Sequence, residues 1–126
     1  MEWSIRGDLP IYSQLVEQMK LGIVSGAFKP GERLVSVRDM AAEAGVNPNT
    51  MQRALQELER EGVVYAMRTA GRFVTEDGTL IDQMKKRLAS ERIDNFLGAM
   101  EKLGYKLEDT VELIKQRGQE GEYANT

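Results

Sequence analysis

The residues best suited to chemistry lie between positions 47 and 60, and their types suit recognition rather than catalysis. Amides, a hydroxyl and an arginine recur there at helical spacing, with no acid before Glu57. Amide side chains can pair with adenine through two hydrogen bonds, and arginine can do so with guanine. We therefore expect a helix that enters the major groove of DNA. The residues of this segment expected to face DNA are Asn47, Asn49, Thr50, Gln52 and Arg53.

The composition argues against other chemistry. The 126 residues include no cysteine and no histidine, so disulfides, thiol nucleophiles, the commonest metal ligand and the usual general base are missing. No acidic cluster has the spacing of a calcium loop, and we expect no enzyme activity, no metal and no cofactor. No run approaches the roughly 20 apolar residues of a membrane span, and the N-terminus does not resemble a signal peptide. The expected location is the cytoplasm.

The charge distribution matters more than the total. A net charge of −3 argues mildly against nucleic acid, because phosphate contacts dominate such binding. However, residues 44–56 and 62–75 hold three arginines and no acid. A locally positive surface is therefore available on an acidic protein. The alternative, that these arginines are ordinary solvated surface, stays open on charge alone.

The segment that carries the polar face has the signals of a well-capped helix. The Asn47 side chain can accept a hydrogen bond from a free backbone N–H, and Pro48 fits the first helical position. Apolar residues then form one stripe, at Met51, Ala54, Leu55 and Leu58, and Gly62 marks the end. The opposite face carries Asn49, Arg53, Gln56 and Arg60, with Thr50 and Gln52 on its flanks.

A shorter helix precedes this segment. Ser36, with Asp39 three residues later, resembles a capping box, and Gly45 suits a helix end with a positive φ. Two short helices joined by a turn that contains glycine have the spacing of a helix-turn-helix.

A β-hairpin should follow the second helix. Residues 63–65 and 72–75 are rich in β-formers, and Gly71 can supply a positive φ between them. A hairpin in this place is a wing, with Arg68 near its tip. Upstream, a short arm that packs by Trp3 and a helix from residue 11 to about 25 complete the first domain, and residues 33–35 could form a very short strand.

The C-terminal part should be helical. A long helix is expected from Leu80 to about Gly104, a shorter one from Leu107 to Arg117, and a disordered tail from residue 118. Two such helices must cover their apolar stripe either on the first domain or, as we favour, on a second copy. The predicted dimerisation residues are Met84, Leu88, Phe96, Met100 and Leu103.

These patterns predict a mainly α protein with a small β-hairpin. Residues 1–78 form a winged helix-turn-helix DNA-binding domain, and residues 79–126 form a C-terminal helical dimerisation region with a disordered tail.

Six motifs stand in register between residues 10 and 75. They are Pro10-Ile11-Tyr12, Pro30-Gly31-Glu32-Arg33-Leu34, Ser36-Val37-Arg38-Asp39-Met40-Ala41, Gly45-Val46-Asn47-Pro48-Asn49-Thr50-Met51, Ala54-Leu55-Gln56-Glu57-Leu58-Glu59-Arg60-Glu61-Gly62 and Gly71-Arg72-Phe73-Val74. Together they resemble the GntR family of bacterial regulators. The short C-terminal part is similar to the YtrA subfamily, in which it is a dimerisation device.

The resemblance implies DNA contacts where this chain matches the family's motif. These positions are Arg38, Asn47, Asn49, Thr50, Gln52, Arg68 and Gly71. There are departures from the family's pattern. Val35 stands where the family usually has proline, Thr69-Ala70-Gly71 replaces a Gly-basic-Gly wing, and Pro48 occupies a position where some relatives carry arginine.

The function implied is a sequence-specific DNA-binding transcriptional regulator. The resemblance makes a repressor likelier than an activator, with an inverted-repeat operator bound by a homodimer. A small-molecule effector, if the protein has one, would need a small cleft between the domains or at the dimer interface. The alternative is a winged-helix protein-interaction module that does not touch DNA, against which the acid-free face argues.

Overall fold

The computed structural model describes residues 1–120 and confirms the predicted fold class, five helices and one antiparallel hairpin. The elements are α1 (Ile11–Val24), α2 (Val37–Ala44), α3 (Pro48–Arg60), β1 (Val64–Met67), β2 (Gly71–Val74), α4 (Gly78–Lys102) and α5 (Leu107–Gln119). By its internal contacts the chain divides into two compact units, residues 1–86 and 87–126.

Side-chain caps begin α2 and α3 where the sequence predicts them. The Ser36 hydroxyl accepts a hydrogen bond from the N–H of Asp39 at 3.1 Å, and the Asn47 side chain accepts one from the N–H of Asn49 at 2.7 Å. Gly45 ends α2 with φ +71°, a conformation that costs glycine little. These three signals are local, so the helix-turn-helix is set by a few residues at each junction.

The wing is the β1–β2 hairpin, and a third segment joins it. Val64 pairs with Val74 and Tyr65 with Phe73, while Arg33 forms an isolated bridge with Phe73. The very short strand expected at residues 33–35 is thus reduced to one bridge. This bridge brings Arg33 to the wing although the two lie about forty residues apart in sequence.

The core of residues 1–86 lies between α1, α2, α3 and the hairpin. It is closed at the N-terminus by the arm, which α1 holds through two glutamines: Gln18 bonds both the N–H and the C=O of Ser4, and Gln14 bonds those of Arg6. The buried core residues are Leu15, Met19, Ile23, Leu34, Met40, Ala41, Met51, Ala54, Leu55, Leu58, Val63, Val64, Val74 and Met84.

The start of α4 has a cap that the sequence interpretation missed. The long helix was expected from Leu80, but the Asp77 carboxylate accepts hydrogen bonds from the N–H groups of Thr79 and Leu80 at 3.0 and 3.2 Å. The helix therefore begins at Gly78, close to the predicted domain boundary after residue 78. That boundary stays a prediction.

The second unit contains the end of α4 and α5, joined by a turn at Gly104 with φ +95°. In α5, the prediction of a disordered tail from residue 118 is wrong for Gly118 and Gln119, which continue the helix. The reason is that the polar residues after Ile114 are good helix formers on a helix already started. The rest of the predicted tail, residues 121–126, lies outside the described residues.

Candidate nucleic-acid interface

The outer face of α3 is polar and open. Its apolar stripe is buried, as the sequence predicts, and the opposite face presents Asn49, Arg53 and Gln56 to solvent. Thr50 and Gln52 are half-buried on the two flanks. Within residues 1–120, the side chains of Asn49 and Gln56 have no hydrogen-bond partner, so their amides are free to bind another molecule.

Asn47 plays a structural part in this surface. Its side-chain oxygen is engaged as the cap of α3, which leaves only its amide NH₂ group for an external acceptor. Asn47 therefore sets where α3 begins, and the two N–H donors of that group are what it can offer to a ligand.

Arg53 does not extend freely from α3. Its guanidinium carbon lies 4.1 Å from the ring centroid of Tyr12, which is the second residue of α1. A cation at this distance is attracted by the ring face. The side chain leans toward α1, a placement that sequence spacing could not reveal.

Each acid in the second half of α3 is paired with a cation. Glu57 accepts both hydrogen bonds from Arg60, one at 2.6 Å and one shorter, Glu59 pairs with Arg72 of the wing, and Glu61 pairs with Lys20 of α1 at 2.7 Å.

Hydrogen bonding from Arg60 lowers the pKa of Glu57, and the same bond raises the pKa of Arg60. Arg60 is exposed and the Glu57 side chain is 21% exposed, so this pair lies at the surface and contributes little stability. The three ion pairs offset the charges of Glu57, Glu59 and Glu61 at the C-terminal end of α3.

Besides Arg53, three arginines near this face have no acid partner within residues 1–120. Arg38 on α2 was expected to bind DNA, and in the described structure it forms no ion pair with Asp39 or Glu43 of the same helix. Arg68, in the turn of the wing, and Arg33, beside it, are likewise exposed and unpaired within residues 1–120. Sequence reasoning missed Arg33 as a contact residue, because the predicted short strand and the motif Pro30–Leu34 did not indicate that it reaches the wing.

The wing turn depends on Gly71. Its backbone φ is +103°, a conformation that costs free energy for residues other than glycine. The Arg33 Nε atom lies 3.4 Å from the point where a Cβ at Gly71 would stand. Arg33 therefore lies beside the first residue of β2, next to the turn that holds Arg68, and two cations from separate segments meet at this end of the wing.

The predicted dimerisation residues fall into two groups. Met84 belongs to the core of residues 1–86, and Leu88 is also buried at 8% exposure. Phe96 and Leu103 are 44% and 71% exposed, and Met100 is half-buried. An open, mostly apolar groove of about 720 Å³ in the second unit is lined by Phe96, Met100, Leu113 and Ile114, among others.

Metal-binding clusters and membrane-spanning helices are both absent from residues 1–120. No group of three or more histidine, cysteine, aspartate or glutamate side chains is arranged to hold a metal ion. No helix in this part of the chain has both the length and the apolar character needed to cross a membrane.

Comparison with known proteins gives consistent matches. The family model described as "Bacterial regulatory proteins, gntR family" matches residues 11–74, which span the helix-turn-helix and the wing.

Two proteins of Bacillus subtilis are similar over most of the chain. The uncharacterized HTH-type transcriptional regulator YhcF is 37% identical over 115 residues, 91% of this chain and 95% of the relative. The HTH-type transcriptional repressor YtrA is 36% identical over 112 residues, 88% of this chain and 86% of YtrA. A solved GntR family transcriptional regulator from Listeria monocytogenes matches with a TM-score of 0.81 and 37% identity, covering 89% of this chain and 98% of that one.

Proposed function

The chain belongs to the GntR family of bacterial regulatory proteins, and on that premise we propose that it is a cytoplasmic repressor that binds an inverted-repeat operator as a homodimer. Membership confirms the predictions of a GntR regulator of the YtrA type, of DNA binding, and of a protein that is not an enzyme. The repressor role is supported by YtrA, a relative of nearly the same length that is described as a repressor.

The observation that carries the proposal is the charge arrangement around α3. Glu57, Glu59 and Glu61 are each paired with a cation, whereas Arg33, Arg38 and Arg68 are exposed without an acid partner in the described structure. A protein of net charge −3 thereby presents unneutralised cations on α2 and the wing, on either side of the polar α3 face. Phosphate groups require such cations.

Each contact residue has a role that its side chain suits. Arg38 and the N-terminal turn of α3, with Asn47 and Thr50, hold backbone phosphates, and Asn49 and Gln52 read base edges. On the wing, Arg68 contacts the DNA backbone and Gly71 allows the turn to approach it closely. Arg33, beside the wing, adds a second cation for the same backbone.

Two copies of the chain would place two α3 helices in successive major grooves. The half-sites should then lie about one helical turn apart, roughly 34 Å. The exposed apolar side chains of the second unit support this arrangement, and Phe96, Met100 and Leu103 are the predicted dimerisation residues that remain available to a partner.

Fluorescence anisotropy on two duplexes tests DNA binding. One duplex has a mixed sequence, and the other is selected from a random pool by the wild-type protein. We expect a steep fall of the logarithm of affinity with the logarithm of salt concentration, and an inverted repeat in the selected sequence. A protein-interaction module would show neither.

Arg38→Ala and Gln52→Ala separate the two kinds of contact. Arg38→Ala should weaken binding to both duplexes alike and reduce the salt slope by about 0.9 for each protomer bound. Gln52→Ala should reduce preference at one position by about 1–3 kcal/mol. Lys86→Ala, an equal change of charge on α4, is the control and should leave the slope unchanged. Equal binding of Arg38→Ala and wild type at matched salt would contradict the assignment of Arg38.

Repression is tested with a reporter. The selected operator is placed between a promoter and the reporter gene, and expression should fall when the protein is present. A rise in expression would make the protein an activator and would leave the DNA-binding assignment intact.

A further inference from the structure

An aromatic side chain of α1 contacts an arginine on the polar face of α3. The half-buried ring of Tyr12 lies beneath the Arg53 guanidinium, at 4.1 Å from its centroid to the Cζ atom, well inside the roughly 6 Å over which a cation and a ring attract. Asn49 and Gln56, on the same face of α3, have no comparable partner in residues 1–120. Arg53 is thus the one member of this group of three that is held in place.

The Glu57 carboxylate, which is spaced to pair with Arg53, is already paired with another arginine. Glu57 follows Arg53 by four residues, the spacing of an ordinary helical ion pair, but both of its oxygens accept hydrogen bonds from Arg60. Arg53 therefore has no acid partner among the described residues. An uncharged ring orients a guanidinium without neutralising it, so Arg53 keeps its full charge.

We propose that Tyr12 and Arg53 form a phosphate-contact site at the α1 edge of the recognition surface. Arg53 binds a phosphodiester of the DNA backbone, and Tyr12 is its positioning residue. This inference rests on the proposed docking of α3 in the major groove. A guanidinium lying on a ring still presents the N–H donors at its edge, whose fork matches two phosphate oxygens.

The site changes the role of Arg53 from the one that its sequence position suggested. Spacing alone made Arg53 a candidate for base edges, by pairing with guanine. To reach a base, however, the side chain would have to leave the ring. A phosphate contact at the α1 edge needs no such movement, so Arg53 should add affinity on any DNA sequence and no sequence preference.

Removal of the charge tests Arg53 directly. On the mixed-sequence duplex and on the selected duplex, Arg53→Gln should weaken binding equally, by about tenfold for each protomer. The salt slope should fall by about 0.9 for each protomer. A fresh selection with Arg53→Gln should return the same preferred sequence as wild type. A changed preference at one base position would overturn the inference.

Variants of Tyr12 test whether its ring positions Arg53 for binding. Tyr12→Leu removes the ring and should weaken binding about two- to fivefold for each protomer, whereas Tyr12→Phe retains the ring and should restore wild-type affinity. In the Arg53→Gln background, Tyr12→Leu should have no further effect. An equal loss in both backgrounds would show that Tyr12 acts independently of Arg53, and loss in Tyr12→Phe would assign the effect to the hydroxyl group.

The outcomes separate this inference from the proposed function. A wild-type protein without a salt-dependent affinity for either duplex refutes DNA binding itself. A steep wild-type slope that Arg53→Gln leaves unchanged refutes only the phosphate-contact site. If Tyr12→Leu does not fold, Arg53→Gln still decides, because Arg53 is exposed and its replacement leaves the core intact.

Discussion

Replacement of Phe96 by alanine tests whether the second unit joins two copies of the chain. In residues 87–120, eight large apolar side chains are between 38% and 71% exposed. Taking about 200 Å² for a full side chain of this size, they leave roughly 800 Å² of apolar surface uncovered on each protomer. This is close to the roughly 800 Å² that each partner contributes to a standard protein interface.

The expected effect follows from the exposure of Phe96. At 44% exposure, its side chain offers about 90 Å², equivalent to about 2 kcal/mol when it is covered. A two-fold interface contains each residue twice, so the substitution removes this free energy at two places in the dimer. We expect the dissociation constant of the dimer to rise by two to three orders of magnitude, roughly 3–4 kcal/mol.

Sedimentation equilibrium over a wide range of protein concentrations measures this constant, and circular dichroism verifies that the variant is folded. Leu21→Ala is the matched control: Leu21 on α1 is 42% exposed but lies outside the second unit, and its loss should not alter self-association. The reasoning is refuted if Phe96→Ala dimerises as tightly as wild type, or if the wild-type protein is monomeric at every concentration.

Three predictions concern stability, measured by chemical denaturation. Asn47→Ala removes the cap of α3 and should lower the free energy of unfolding by about 1 kcal/mol, whereas Asn47→Asp should retain most of it. Gly71→Ala forces a side chain into φ +103° and should cost about 1–2 kcal/mol. Gly98→Ala, in α4 with no atom near the added Cβ, should instead stabilise by about 0.5–1 kcal/mol; equal effects at the two glycines would contradict the strain argument. Since the pKa of Glu57 is lowered from its usual 4.5, its pairing with Arg60 stabilises the fold above that pH and is lost as pH falls through the folded-state pKa. The small difference in the free energy of unfolding between wild type and Glu57→Gln at neutral pH should therefore disappear in acid. If this difference does not change with pH, the ion pair is not its source.

Helix boundaries were largely predictable from the sequence because their signals are local. The caps at Ser36 and Asn47, the positive φ of Gly45 and the buried stripe of α3 each depend on residues within one or two turns. The cap at Asp77 was missed although its signal is also local, because the helix was predicted from its apolar period, which begins at Leu80.

The apolar period of α4 could not predict which of its residues are buried in the core and which are exposed. Met84 and Phe96 belong to the same near-heptad series, yet Met84 is 8% exposed and Phe96 is 44% exposed. A periodic pattern shows which face of a helix is apolar but not what covers it. The burial of each position depends on where along α4 the first unit ends.

The sequence by itself determined the helix-turn-helix, the hairpin and the polar types on the recognition face, because capping, backbone conformation and periodicity act over a few residues. Only the tertiary structure decided which charges on that face are available. The ring of Tyr12 meets Arg53, Arg72 neutralises Glu59, and Arg33 reaches the wing. These contacts join segments 13 to 41 residues apart in the chain, and spacing along a single helix carries no information about them.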